Sequence, residues 1–240
     1  MPTRLKQLGR REVLAALGAG VGAALVGCST SPTSPNTTSS SSSSSSGACA
    51  VIPSETEGPY PDMTGMISNP AFFRRDITEG RAGLPLTLRL TLVNVSTGCT
   101  PIAGYNIEVW QCDAAGNYSE YQQPGFNGTG QTFLRGVQTT DSSGVVTFNT
   151  IYPGWYQGRA THIHVDVFRG TTLVKSTQIA FPEDVTRAVY ATGVYAAKGQ
   201  SPTSNSGDMV FSDGVQLELA SLTGSTASGY TATLQVGINA

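Results

Sequence analysis

Residues 133–166 read FLRGVQTTDSSGVVTFNTIYPGWYQGRATHIHVD, and this stretch holds the only two histidines of a 240-residue chain. His162 and His164 stand two apart in a segment, His-Ile-His-Val-Asp-Val-Phe, where polar and apolar residues alternate. Side chains of a β-strand repeat every two residues, so the segment is predicted to be a strand with both imidazoles on one face. Ile163, Val165 and Val167 fall on the other. Two nitrogen donors on one rigid strand form half of a metal site. A merely solvated His-x-His would show the same pattern. The neighbours decide between the two: Arg159 lies three residues earlier, Tyr156 comes after the Pro153-Gly154 turn, and Tyr118 comes after a turn at Asp113–Gly116.

The rest of the chain reads as one β-rich domain behind an export sequence. Arg4, Lys6, Arg10 and Arg11 precede a short apolar run from Val13 to Val26, the pattern of a signal peptide rather than a membrane span. The Arg10-Arg11 pair resembles a twin-arginine signal, with an ordinary secretion signal carrying one extra charge as the alternative. Leu25-Val26-Gly27-Cys28 resembles a lipobox, which makes 1–27 the signal peptide and Cys28 the lipidated first residue of the mature protein. Residues 28–48 are rich in Ser, Thr and Pro and cannot bury enough surface to offset the entropy of ordering, so they are expected to be a tether. The expected location is the bacterial cell envelope: exported, and lipid-anchored or extracytoplasmic.

Residues 49–240 suffice for one domain with a sizeable core. A net charge of −2, with no basic cluster past the leader, excludes a nucleic-acid partner. Twenty-eight glycines and little helical periodicity favour an all-β fold: a sandwich or barrel of short antiparallel strands with long loops and one short helix. Leu86, Leu88, Leu90 and Leu92 alternate with Thr87, Arg89 and Thr91, as in a half-buried strand. Further strands are expected at Tyr105–Cys112, Val145–Ile151, Leu173–Ala180, Val215–Leu219 and Tyr230–Ile238, with a helix from Pro182 to about Thr192. Glu55-Thr-Glu-Gly-Pro-Tyr60 reads as a stiff entry to the domain. Of the cysteines, Cys99 and Cys112 are the expected disulfide pair, which leaves Cys49 without an assigned partner.

Two readings of the metal ligands compete. His164-Val-Asp166 has the spacing of a two-histidine-one-carboxylate iron site, but four residues of strand separate His162 from Asp166 by about 13 Å, too far to share one ion comfortably. Tyr118 and Tyr156 are the remaining candidates. Two phenolates and two imidazoles form a hard O/N set that suits ferric iron better than zinc.

The run Trp110-x-x-Asp113-x-x-Gly116-x-Tyr118, then Leu134-Arg135-Gly136, Thr140-Asp141-x-x-Gly144, Pro153-Gly154-Trp-Tyr156 and Arg159-x-x-His162-Ile-His164, resembles the intradiol ring-cleavage dioxygenases, the family of protocatechuate 3,4-dioxygenase and catechol 1,2-dioxygenase. The likeness extends over the folded domain, including Glu57-Gly-Pro. It implies that Tyr118 and His162 (equatorial) and Tyr156 and His164 (axial) bind Fe(III), and that Arg159 and Gln178 line the substrate. The implied reaction begins with chelation of a catechol and release of Tyr156, which then serves as a base. O2 next attacks the activated ring carbon, and a cyclic anhydride opens to a muconate-type diacid, with Arg159 stabilising the shifting charge.

Two departures limit the likeness. Five residues separate Tyr156 from His162, where the better-known members have a longer insertion, and the helical dimerisation segment of the catechol enzymes is not recognisable. Substrate identity and oligomeric state therefore do not carry over. A non-catalytic, lipid-anchored binding or adhesion module is the rival reading. A zinc or copper protein using only the two histidines would leave both tyrosines unexplained.

Overall fold

The alternating leucines form the middle of β1 (Pro85–Asn94) in a computed structural model that describes residues 49–240. The proposed signal peptide, Cys28 and the tether lie outside the described residues. After β1 come β2 (Thr100–Pro101), β3 (Asn106–Trp110), a small hairpin of β4 (Gln122–Gln123) and β5 (Phe126–Asn127), β6 (Arg135–Thr139) and β7 (Val145–Ile151). The chain continues through β8 (His162–Arg169), β9 (Thr172–Ala180), α1 (Glu183–Tyr190), β10 (Ser221–Ser225) and β11 (Gly229–Ile238).

Two sheets carry the fold. In one, β10 pairs β11 and β11 pairs β1, while β7 and β2 share the other edge of β1. The long β1–β11 pairing is parallel, so this sheet is mixed rather than wholly antiparallel. The second sheet has the order β6-β3-β8-β9 and is antiparallel throughout. Leu86, Leu88, Leu90 and Leu92 pack against Ile107, Val109, Ile163, Val165, Val167 and Ile179 in one hydrophobic core. Each such aliphatic side chain stabilises the fold by about 1.5–3 kcal/mol.

The sandwich core covers one face of β8, and the other face is covered too. His162, His164 and Asp166 are as buried as the aliphatic residues between them. Arg135, on β6, fastens the segment that covers this second face. It is fully buried and donates to the carbonyls of Tyr60, Pro61 and Ser119 and to Ser119 Oγ, with Glu120 3.4 Å away as counter-charge. A Cβ on the adjoining Gly136 would lie 2.5 Å from Ile77 Cγ2, so the Arg-Gly pair anchors one strand and admits a close neighbour on the other.

Two expectations need correction. Val215–Leu219 is not a strand: Val215 O accepts from both Glu218 N and Leu219 N, which folds the segment into a turn. Alternation would bury Leu219 and expose Glu218, whereas the structure leaves Leu219 36% exposed and buries Glu218 fully. The last antiparallel partner of β11 is instead β10. The disulfide joins Cys49 to Cys99, with Cα atoms 5.7 Å apart, and Cys112 is a free, buried thiol. Cys112 lies just past β3 beside Trp110 and Tyr118, on the site side of the second sheet, whereas Cys99 belongs to the turn beyond β1.

Candidate metal centre

Tyr118 reaches the second face of β8 from a turn that its own sequence specifies. Asp113 Oδ1 accepts from the backbone N–H groups of Ala115 and Asn117, both at 2.9 Å, and Gly116 supplies the positive φ of 86°. Tyr156 arrives from the Pro153-Gly154 turn, where a Cβ at Gly154 would lie 2.3 Å from Asp113 O. The two tyrosine-bearing loops therefore pack backbone to backbone. His162 and His164 come from β8, as the alternation predicted.

The four predicted donors meet. Tyr118 Oη is 3.4 Å from His162 Nε2 and 3.3 Å from His164 Nε2, and the two Nε2 atoms are 3.1 Å apart. Tyr156 Oη is 3.5 Å from His162 Nε2. The tyrosine–histidine separations exceed those of ordinary phenol–imidazole hydrogen bonds. Donors sharing one ion at about 2.0–2.2 Å stand roughly 2.8–3.6 Å from one another, so the set fits a metal. Asp166 stands apart, paired in register with Glu108 and Ser176.

The electrostatics agree. His162 Nδ1 lies 2.6 Å from Ala160 O and carries the hydrogen, which leaves the Nε2 lone pair facing the other donors. Burial, aided by Arg159, pushes His162 down to about 3. Burial, then His162 and Arg159, hold His164 well below the usual range. Both rings are therefore neutral and keep a lone pair to donate. Burial pushes Tyr156 up to about 12 and Tyr118 well above its usual value. Neither phenol ionises near neutral pH unless a strongly polarising cation displaces its proton, and that requirement favours a hard, highly charged ion.

Arg159 and Gln178 sit beside the donors. Arg159 Nη1 is 3.4 Å from Tyr156 Oη and 3.4 Å from His162 Nε2, and Nη2 donates to Gln178 Oε1. Gln178, opposite His164 in the β8–β9 pairing, donates to Thr56 O at 2.7 Å.

Sequence reasoning assigned no role to three further residues. Tyr60 stacks on Tyr118 at 4.5 Å and meets Tyr156 edge-on at 5.6 Å. Trp110 stacks on His164 at 4.6 Å, with the rings 3° from parallel. Both stand within the sequence motifs, and the Trp110–His164 pairing is readable once β3 and β8 are taken as neighbours. Asp208 grips Arg159 from a loop with no periodic pattern, and no sequence signal pointed to it. The Glu57-Gly58-Pro59 motif also has a reason: Gly58 has a φ of 70°, and a Cβ there would stand 3.1 Å from His164 Cε1.

Comparison with known proteins bears on the family and the fold. The family model described as Dioxygenase matches residues 57–201. The chain is similar to the solved structure of an intradiol ring-cleavage dioxygenase from Tetranychus urticae, at 28% identity and a TM-score of 0.71, with 80% of this chain and 95% of that one covered. It is similar to the dioxygenase domain of a dioxygenase carbohydrate-binding protein fusion from Streptomyces sp. SirexAA-E, at 26% identity and a TM-score of 0.57, covering 79% and 99%. A 3-chlorocatechol 1,2-dioxygenase from Rhodococcus opacus 1CP shares the fold at 20% identity and a TM-score of 0.51, covering 77% and 71%. No curated protein matches the chain.

Proposed function

The chain belongs to the intradiol ring-cleavage dioxygenase family, and we propose that it holds Fe(III) through Tyr118, Tyr156, His162 and His164 and cleaves a catechol-type ring between its hydroxyl-bearing carbons with O2, giving a muconate-type diacid. The convergence of two phenols and two neutral imidazoles, 3.1–3.5 Å apart, supports this reading above all else. Ferric iron, when bound, supplies Lewis acidity and a template that holds the diol and draws electron density from its ring.

The protein groups have distinct tasks in this reading. Tyr118, His162 and His164 are buried, whereas Tyr156 is partly open to solvent and is the donor free to swing aside. With iron bound, Tyr156 Oη would be the group to take a proton from a substrate hydroxyl, and Arg159 Nη1 beside that oxygen would favour its anion. The same guanidinium stabilises negative charge that develops on the substrate. Gln178 holds Arg159 in place and ties it to Thr56 in the covering segment. Tyr60 and Trp110 wall the centre and exclude water. The short 157–161 connection supports an opened pocket edge and a substrate differing from those of the longer enzymes.

The sequence pattern of residues 1–28 supports export and lipid anchoring, hence catechols met outside the cytoplasm, such as plant or lignin-derived aromatics. The test of function is the visible spectrum of the purified, iron-loaded chain, then oxygen uptake on adding catechol. A broad tyrosinate-to-iron band with oxygen consumption is the expected result. A protein that stays colourless after reconstitution sinks the reading and favours the non-catalytic surface module.

A further inference from the structure

Glu218 is fully buried. Its Oε1 accepts from Thr177 Oγ1 at 3.3 Å, but Oε2 is buried with no hydrogen-bond partner among the described residues. A buried carboxylate oxygen left bare is rare and calls for a ligand or a proton. One oxygen each from Glu218, Glu55 and Asp213 come together within 4.8 Å of one another. Among the described residues no lysine or arginine forms an ion pair with any of the three. The neighbouring cations are engaged elsewhere: Lys175 donates to Ile52 O and Ser54 Oγ, and Arg159 donates to Asp208 and Gln178.

We infer that Glu55, Asp213 and Glu218 form a second cation site, for a calcium-class divalent ion, independent of the tyrosine–histidine centre. The donor set is all carboxylate oxygen, which selects a hard ion and excludes one needing nitrogen or sulfur. Calcium holds oxygens at about 2.3–2.6 Å, so ligands on one ion stand up to roughly 5 Å apart, whereas magnesium draws them to about 4.2 Å or less. Oxygens within 4.8 Å of one another admit the larger ion, and three carboxylates suit calcium, which takes about six to eight oxygens, better than magnesium, which keeps several waters. Burial, then Glu55 and Asp213, push Glu218 up to about 8, and burial and Asp213 raise Glu55 against the pull of Arg159 and Lys175, as expected of crowded carboxylates without a bound cation.

The site joins two segments that build the dioxygenase centre. Glu55 precedes Thr56, which anchors Gln178, Gly58, which lies against His164, and Tyr60, which stacks on Tyr118. Asp213 and Glu218 belong to the loop that carries Asp208, the residue holding Arg159. A bound ion would cross-link the covering segment to the arginine-holding loop.

The test is calorimetric titration of the full chain with calcium chloride at neutral pH after chelating-resin treatment, with thermal unfolding alongside. One saturable event and a rise in Tm are expected, with magnesium weaker than calcium. Asp213→Asn, at an exposed position where folding is not at risk, should weaken calcium by about tenfold or more, and Glu218→Gln likewise. Tyr118→Phe, which alters only the other centre, should leave calcium affinity unchanged. Absence of saturable binding, equal affinity in Asp213→Asn, or loss of binding in Tyr118→Phe would each overturn the inference in favour of acids that merely share protons.

Discussion

Arg159 directs its Nε at both carboxylate oxygens of Asp208, at 3.0 and 2.9 Å, and the Asp208 side chain is wholly buried. The same carboxylate accepts from Ala160 N at 2.7 Å and Val210 N at 2.9 Å, so it is fixed before it fixes the arginine. With Nε held, the two terminal nitrogens of Arg159 point at Gln178 on one side and at Tyr156 and His162 on the other. The partners stand 49 positions apart in the chain, and their pairing ties a surface-facing loop to the cluster of tyrosine and histidine donors.

Asp208→Asn keeps the shape of the side chain and removes its charge. A hydrogen bond to a charged group contributes about 1.5–3 kcal/mol, so kcat should fall roughly 10- to 100-fold as Arg159 loses its aim. KM and iron content should change little. Steady-state kinetics with iron analysis check this, and a variant that loses iron in step with activity would show Asp208 to be structural only.

The two tyrosines should separate spectroscopically. Tyr118 is fully buried against Tyr60, so Tyr118→Phe leaves an oxygen-free gap among the donors and should abolish most of the visible band and the bound iron. Tyr156 is partly exposed and is the donor proposed to be displaced. Tyr156→Phe should keep the iron, shift the band, and lower kcat by about two orders of magnitude through loss of the base. Identical spectra for both variants would remove the distinction between a fixed and a released tyrosine.

The donors were legible because strand alternation is local: His162 and His164 share a face in any β-strand, and the Asp113–Gly116 turn presents Tyr118 just beyond it. The leucines of β1 declared their strand for the same reason. Long-range partners were not legible. Asp208 sits in a loop where no periodicity constrains its direction, and its role exists only after Arg159 is brought to it. Alternation also misled at Val215–Leu219, where hydrogen bonds to Val215 O fold the chain into a turn and send Glu218 inward. The parallel β1–β11 pairing joins segments at opposite ends of the domain, and nothing in either strand records which way its partner runs.

Glu108 gives the fold a pH dependence. It is 2% exposed and faces Asp166 across β3 and β8, and each has a carboxylate oxygen with no hydrogen-bond partner among the described residues. Burial, with Asp62, Asp166 and Glu120 adding and Arg135 opposing, pushes Glu108 up to about 8 from an ordinary 4.5. Between those values the folded protein keeps a proton that the unfolded chain has released, so the contribution is complete below about pH 4.5 and is lost as pH rises toward 8. The slope is at most about 1.4 kcal/mol per pH unit. Glu108→Gln should flatten the dependence and be more stable than the wild type near pH 8. Urea unfolding across this range reads it directly, and parallel stability curves would contradict the assignment.

The Cys49–Cys99 bridge closes a loop with a sequence separation of 50, tying the start of the described domain to the turn beyond β1. In the chain-entropy picture such a closure stabilises the fold by about 4 kcal/mol, and measured bridges commonly give 2–4 kcal/mol. Cys99→Ser should therefore lower the unfolding free energy by about that amount, with no gain for wild type once reductant is present. Cys112 behaves oppositely: it is buried, and burial pushes its thiol up to about 12, so it should resist thiol reagents until the chain unfolds. Cys112→Ala leaves the bridge intact and should cost less than Cys99→Ser. Peptide mapping distinguishes the pairings outright, because a Cys99–Cys112 bridge would leave Cys49 as the alkylated residue. Since a stabilising bridge of this kind persists only in an oxidising compartment, its recovery from protein made with residues 1–48 in place would also support the export reading of residues 1–28.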